Sequence, residues 1–176
     1  MNAVSINYKD ISMSHNAVTE AYGLFMISWS VLETTIEAAI MKQLQLDSQR
    51  TLIITTSMQF RQRVNILCSL LELNDPNNEN YKDAIKLLKK IERDAKRNML
   101  VHGHIIVGVP GELTFVKSNI VDGYNANRAT FNQRQLLEHI TRITNKTDQL
   151  SGLLGVTDVD MQNLANVGIN ASSPTP

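Results

Sequence analysis

The chain has 176 residues, and its 17 basic and 17 acidic side chains leave no net charge. A chain of this length buries about 70% of its unfolded surface in a single core, so one domain is expected. The balanced charge excludes a protein that coats nucleic acid by electrostatic attraction alone, and any contact with nucleic acid must be local. The one cysteine, Cys68, excludes a disulfide framework and lies in an apolar run, so we expect a buried free thiol.

The amino-terminal residues lack the basic stretch and the apolar core of a secretory signal. The longest apolar stretch, residues 21–32, is too short and too interrupted to span a bilayer. We therefore predict a cytoplasmic protein that does not associate with membranes.

Apolar residues spaced alternately by four and three predict a long first helix that ends near Leu46. A second helix is expected to stop at the turn Asn74–Asn77, and a third helix begins near Asn78 and ends near Gly103. The positions that define these three helices are, in chain order, Val18, Tyr22, Phe25, Trp29, Leu32, Ile36 and Ala39; then Ile53, Ser57, Phe60, Val64, Leu67 and Leu71; then Tyr81, Ala84, Leu88, Ile91 and Ala95.

After Gly103 the apolar period changes from helical to two on both sides of Pro110-Gly111, which predicts a small β-hairpin at about residues 104–117 and a loop through residues 122–125. Thr130 and Gln133 have the spacing of a capping box and open a last long helix. The predicted fold is therefore mainly α, an antiparallel bundle of four to five helices over residues 1–155 with the hairpin inserted before the last long helix. Residues 156–176 are polar and are expected to form a disordered tail.

Polar residues interrupt the apolar stripes at three positions. The stripe of the third helix, continued past its last apolar position, reaches Asn98 and His102. Glu33 lies about 40° from Trp29 around the first helix, inside its apolar arc. Burying an unpaired polar group costs about 1–3 kcal/mol, so these groups need partners, water or a substrate. Arg97, whose long side chain can reach a neighbouring helix, is the partner that we expect for Glu33.

Two interpretations of these residues are open. The structural one is a buried polar network that fixes helix packing, formed by Glu33, Arg97, Asn98 and His102. In the functional one they converge on a cleft, where the His102 imidazole exchanges protons close to neutral pH. The run from Lys82 to Arg97, which includes Lys90 and Arg93, has seven basic and three acidic residues. It is either a solvated helix face or a source of phosphate attraction.

The segment from Asp94 to Gly103, with the sequence Asp-Ala-Lys-Arg-Asn-Met-Leu-Val-His-Gly, resembles the signature of HEPN domains. That signature is an arginine, then a polar residue that is often asparagine, then a histidine a few residues later. Arg97, Asn98 and His102 match it. The Trp29-x-x-Leu32-Glu33 segment in the first helix is also similar to bacterial proteins with an RNxxxHG segment and a following hairpin. HEPN domains are small helical bundles, and the likeness covers roughly residues 15–155.

The resemblance implies a metal-independent ribonuclease without a cofactor, in which the RNA 2′-hydroxyl attacks the adjacent phosphate and leaves a 2′,3′-cyclic phosphate. His102 would act as general base or acid, Arg97 would stabilise the phosphorane, and Asn98 would hold the phosphate or orient the imidazole. Supporting or substrate-binding roles fall to Glu33, Lys90, Arg93 and His104. We expect His104 to be a strand residue that faces solvent or the rim of the site. The sequence has no cluster of His, Cys, Asp and Glu at metal-ligand spacing.

Arg97 and His102 are about 140° apart on an ideal helix, and an acid and base pair needs two groups where one chain supplies one such histidine. The resemblance implies a homodimer in which two motifs face each other across a two-fold axis and bind one RNA. It also suggests a toxin or antiviral defence role, controlled by a cognate antitoxin or regulatory protein. A noncatalytic module that binds a nucleotide or a protein, and a purely structural helical interaction protein, are the alternatives.

Overall fold

The computed structural model describes residues 8–94, 97–107, 109–119 and 125–167. Over these residues the chain is mainly helical, with a small antiparallel sheet before the last long helix, which confirms the predicted fold class. The elements in chain order are α1 (Tyr8–Leu44), α2 (Ser48–Thr55), α3 (Phe60–Asn74), α4 (Glu79–Asp94), α5 (Arg97–His102), β1 (His104–Val107), β2 (Glu112–Asn119), β3 (Asn125–Asn132), α6 (Gln133–Leu154) and α7 (Asp158–Ala165).

The chain divides into two compact units, where the sequence predicts one domain. The unit called here the sheet unit draws on residues 1–28 and 95–142, and therefore holds the first part of α1, α5, the three strands and the start of α6. The helical unit draws on residues 29–94 and 143–176 and holds the rest of α1 and α6 together with α2, α3, α4 and α7.

The sheet has the strand order β1-β2-β3, and both pairings are antiparallel. Phe115 on β2 and Phe131 on β3 lie on the same face of the sheet and are buried. The Phe115 ring lies 5.3 Å from the ring of Tyr22 on α1 and 5.8 Å from that of Phe131. The opposite face carries His104, Ile106, Arg128 and Thr130, which are exposed. One face therefore contributes Phe115 and Phe131 to the core of this unit, and the other is exposed at these four positions while its Thr114 is buried.

The predicted hairpin is confirmed by β1 and β2, whose turn contains Gly111 at a positive φ of 81°. The sequence did not predict the third strand, β3. The loop predicted through residues 122–125 ends at Asn125, where β3 begins, and residues 120–124 lie outside the described residues. The predicted capping box at Thr130 is wrong by two residues, because Asn132 and Gln135 exchange side-chain and backbone hydrogen bonds of 2.9 and 3.0 Å at the start of α6.

The second predicted helix is two helices. Thr51 and Thr55 are the buried residues of α2, whereas Ile53, expected in the apolar stripe, is 77% exposed. Ser57 lies in the turn between the helices. The Gln59 N–H donates a 2.7 Å hydrogen bond to the Gln62 side chain, and this contact caps the start of α3 at Phe60. The third predicted helix appears as α4 and α5, with residues 95–96 outside the described residues.

The expectation of a disordered tail from residue 156 is wrong up to residue 167. A capping box between Thr157 and Asp160 starts α7. Val156 and Leu164 are buried, and the Lys42 ammonium donates to the Gly155 carbonyl at 2.6 Å and lies 3.3 Å from Asp160. Two buried apolar side chains and the polar contacts of Lys42 on α1 therefore hold this segment in place. Residues 168–176 lie outside the described residues.

Helix α1 contains a stretch, Asn16–Leu44, that is long and apolar enough to cross a membrane by length and composition. The sequence analysis considered only residues 21–32 and found them too short. Half of the most apolar window is buried inside the structure, and a buried core helix meets the same criteria.

The predicted burial of Cys68 as a free thiol is confirmed, and burial raises its pKa.

Candidate functional site

The seven predicted site residues divide between the two units. Arg97, Asn98 and His102 lie on α5, and His104 begins β1, so these four belong to the sheet unit. Glu33 on α1 and Lys90 and Arg93 on α4 belong to the helical unit. The HEPN-like motif therefore lies on a single six-residue helix.

Helix α5 is anchored to the sheet unit through Leu100. Its side chain is fully buried, and its carbonyl oxygen accepts a 2.7 Å hydrogen bond from the Tyr22 hydroxyl. Burial raises the pKa of Tyr22, so this hydroxyl stays a proton donor at all ordinary pH values. The Tyr22 ring packs on Phe115, which ties the backbone of α5 to both α1 and the sheet.

Gly103 joins α5 to β1 at a position that has no room for a side chain. Its N–H donates to the Met99 carbonyl at 2.9 Å, which closes the last turn of the helix. An added Cβ would overlap the Met99 carbonyl oxygen and lie 3.3 Å from the Phe115 Cβ. The glycine after the motif histidine is therefore required for the close approach of α5 to β2.

His102 is exposed, which corrects the expectation that it continues a buried stripe. The buried anchor of α5 is Leu100, and His102 lies about 200° from it around the helix, on the opposite side. Asn98 precedes His102 by one helical turn, and Arg97 begins the helix; the side chains of Arg97 and Asn98 lie outside the described residues. Helix α5 runs unbroken from Arg97 to His102, so these two positions are about 140° apart.

The prediction that His104 is a strand residue facing solvent is confirmed. In the sheet register His104 pairs with Val116, and Val116 pairs with Arg128, so the three residues form one row on the solvent face. The row spans two strand spacings, about 10 Å. Sequence analysis missed Arg128, because its place beside His104 depends on the third strand.

Glu33 lies in a partly buried ionic cluster of the helical unit. Its carboxylate accepts a 2.9 Å hydrogen bond from the Trp29 indole and lies 3.9 Å from the guanidinium of Arg63. Arg63, 13% exposed, also forms a 2.8 Å ion pair with Glu37 and donates to the Thr55 carbonyl at 3.2 Å. The structure therefore gives Glu33 a cation from α3, and the predicted pairing with Arg97 stays a prediction.

The cluster places two carboxylates, one helical turn apart on α1, around one guanidinium. Burial raises the pKa of Glu37, while the charge of Arg63 lowers it and that of Glu33 raises it. The raised pKa means that the cation only partly compensates the desolvation of this carboxylate. Because the cluster is largely enclosed, we interpret Glu33 as a packing residue of the helical unit.

Lys90 and Arg93 lie on a basic face of α4. Five cations fall within about 100° of arc on this helix, opposite buried apolar residues; they are Lys82, Lys86, Lys89, Lys90 and Arg93. Lys82 and Lys86 pair with Glu79 and Asp83 on the same helix, at 2.8 and 2.9 Å. Among the described residues no carboxylate pairs with the other three, so the carboxy-terminal half of α4 presents uncompensated positive charge.

The described part of the chain contains no group of three or more His, Cys, Asp and Glu that could hold a metal ion. Comparison of the chain with models of protein families, with curated proteins and with solved structures finds no match. The likeness to HEPN domains thus rests on the motif residues and their setting on α5.

Gly103→Ala is expected to destabilise the protein by about 1–3 kcal/mol, because the new methyl group overlaps the Met99 carbonyl and crowds Phe115. The control is Gly152→Ala in α6, where an added Cβ meets nothing within 4 Å; this change should gain about 0.4–1 kcal/mol. Urea unfolding of both variants measures the difference, and equal stabilities would show that α5 does not need its close approach to β2.

Arg63→Met should cost about 3–5 kcal/mol at neutral pH, since it leaves two largely enclosed carboxylates without this cation. The raised pKa of Glu37 means that the folded state takes up a proton before the unfolded state does as pH falls. Because the Arg63 charge lowers this pKa, the variant takes up the proton at a higher pH than the natural chain does, and its loss of stability should shrink as pH falls toward the ordinary pKa of glutamate.

The matched control is Arg61→Met on the same helix. Arg61 pairs with Glu92 at 2.9 Å but its side chain is 78% exposed, so its loss should cost less than about 1 kcal/mol. Thermal or urea unfolding at several pH values measures both variants. Equal losses for the two variants, or a loss from Arg63→Met that does not change with pH, would contradict the assigned burial of the cluster.

Proposed function

We propose that this protein is a metal-independent endoribonuclease of the HEPN type. The observation that carries the proposal is the state of His102, an exposed imidazole on a short helix whose backbone is fixed by the Tyr22 hydrogen bond and by Gly103. Acid–base catalysis needs a group that substrate can reach and that is held in place before substrate arrives. A residue in a buried network would be held in place, but substrate could not reach it.

In the proposed reaction His102 accepts the proton of the RNA 2′-hydroxyl, or gives a proton to the departing 5′-oxygen. The 2′-oxygen attacks the adjacent phosphorus, and the bond between that phosphorus and the 5′-oxygen breaks. The upstream strand then ends in a 2′,3′-cyclic phosphate. Arg97 stabilises the charge on the phosphorane, and Asn98 holds the phosphate or orients the imidazole. All three residues lie on one helix, so its backbone fixes the relative positions of their Cα atoms.

We further propose that the protein acts as a homodimer, and the geometry of α5 supports this proposal. Positions 97 and 102 are about 140° apart, so one chain directs them to different sides of the helix. One chain also offers one motif histidine, whereas cleavage uses a base and an acid. Two copies related by a two-fold axis supply both, and they form one composite site.

Charged residues outside the motif support RNA binding within each unit. On the sheet unit, His104 and Arg128 lie in one row of the exposed sheet face and can contact a strand that passes the end of α5. On the helical unit, Lys89, Lys90 and Arg93 supply phosphate attraction that the neutral net charge does not. We further propose a cytoplasmic location and a toxin or defence role under the control of a protein partner.

One observation favours a second function. The basic face of α4 would bind a polyanion without any catalytic group, as in a noncatalytic module that binds nucleic acid. In that case RNA would bind with a strong salt dependence but would not be cut, and His102 would not matter.

His102→Gln should lower cleavage of single-stranded RNA by about 10²–10⁴-fold, because glutamine hydrogen-bonds but does not exchange protons. His104→Gln, at an exposed position two residues away, should lower it only about twofold to tenfold, the loss of a supporting contact. Both are measured with excess chelator, and the new ends are analysed for a 2′,3′-cyclic phosphate. RNA binding by each variant is measured in parallel.

Cleavage that disappears with chelator, or equal activity of the two variants, would overturn the ribonuclease. RNA binding without cleavage by the natural chain would favour the noncatalytic module. The solution mass at micromolar concentration should be twice the 19.7 kDa of one chain. A monomer that still cleaves RNA would reject the composite site but keep the activity.

A further inference from the structure

A pocket of about 310 Å³ lies in the sheet unit, where the end of β3 meets the first turns of α6. Strand β3 contributes Ala129, Thr130 and Phe131 to its wall. None of the residues that line the pocket has a role in the proposed ribonuclease site. At this volume the pocket is at the small end of ligand-binding cavities, which suits a ligand of one or two rings.

The α6 side of the pocket carries polar groups on one helix face. Positions 135, 138, 139 and 142 follow the spacing of neighbouring turns. The Gln135 oxygen accepts the 3.0 Å capping hydrogen bond from Asn132, which leaves its amide nitrogen as a donor. The Arg142 Nε donates to the Glu138 carbonyl at 3.2 Å, and no described carboxylate pairs with its terminal nitrogens.

The β3 side of the pocket combines the Phe131 ring with the Thr130 hydroxyl, and contacts hold both in place. Phe131 is 4% exposed, and its ring meets the His139 imidazole edge to face, with centroids 5.6 Å apart. The Thr130 hydroxyl is hydrogen-bonded to that of Thr114 at 2.9 Å. A planar or ring-shaped group therefore finds a rigid wall opposite the donors of α6.

We infer that this pocket binds a small phosphate monoester whose organic part carries hydrogen-bond donors. The terminal nitrogens of Arg142 form a planar fork that matches phosphate oxygens, and the Gln135 amide adds a donor beside it. A monoester presents three terminal oxygens to such a set, one more than a carboxylate.

Glu138 decides against a bare anion. Its carboxylate lines the same pocket and is only partly offset by Arg134, 3.6 Å away, so it repels an ion that has no donors of its own. A hydroxyl or amino group on the organic part would donate to Glu138 while the phosphate meets Arg142. A sugar phosphate and a nucleoside monophosphate both have this chemistry.

The experiment is calorimetric titration of the natural chain with ribose 5-phosphate, adenosine 5′-monophosphate, adenosine and inorganic phosphate. We expect at least one monoester to bind, and Arg142→Gln to weaken that binding about tenfold or more through the lost charged fork. Arg128→Gln is the matched control, with the same charge change at an exposed position of the same unit that does not line the pocket, and should change binding by less than about threefold.

Gln135→Glu is a second test, since it keeps the capping oxygen and replaces the amide donor with a carboxylate; it should also weaken binding about tenfold. Adenosine that binds as tightly as its monophosphate, or inorganic phosphate that binds as tightly as the monoesters, would overturn the inference. No heat from any monoester up to about 10 mM, or equal effects of the two arginine changes, would also overturn it. RNA cleavage is not a readout here, so the ribonuclease proposal stands or falls separately.

Discussion

The attachment of α5 to the rest of the sheet unit is the constraint on which the candidate site depends. The Leu100 side chain is buried, and its carbonyl oxygen accepts a hydrogen bond from the Tyr22 hydroxyl. Gly103 lets the end of the helix approach Phe115. These contacts fix backbone atoms, so they set the position of every motif residue without using a motif side chain. The histidine can therefore face solvent while its Cα stays in place. A site arranged in this way needs little ordering when substrate binds.

Burial distinguishes two groups of charges that the sequence offers as site residues. The sequence singles out Glu33 as a carboxylate inside an apolar arc, and the residues near Lys90 as part of a run with an excess of positive charge. In the structure Arg63 is 13% exposed and compensates two carboxylates, whereas the cations of α4 are exposed. Removing one partner of an enclosed ion pair strongly destabilises a protein, whereas an exposed charge contributes little to its stability. The enclosed cluster therefore serves folding, and the α4 face remains available for a polyanion.

The sequence predicts this fold where local pattern and packing agree. The stripe of α1 and the alternation around Pro110-Gly111 are strong local signals, and both elements form. Strand β3 reads Asn-Ala-Asn-Arg-Ala-Thr-Phe-Asn, with little strand propensity, and is held by pairing with β2, a contact that no local pattern shows. Helix α7 had a usable signal in the Thr157–Asp160 capping box, but its apolar content is too low for a periodic stripe.

The exposure of His102 differs from the pattern that points to it. The sequence places Asn98 and His102 in a buried stripe, but α5 has its own buried side at Leu100 and His102 is exposed; the side chain of Asn98 lies outside the described residues. An exposed histidine needs no special explanation by itself, since most surface polar residues have no role. Two neighbouring features distinguish His102. The next position, Gly103, has no room for a side chain, and the Tyr22 hydroxyl is hydrogen-bonded to the carbonyl of Leu100 in the same helix. Fixed backbone beneath an accessible imidazole is a requirement of acid–base catalysis and not of a solvated helix end.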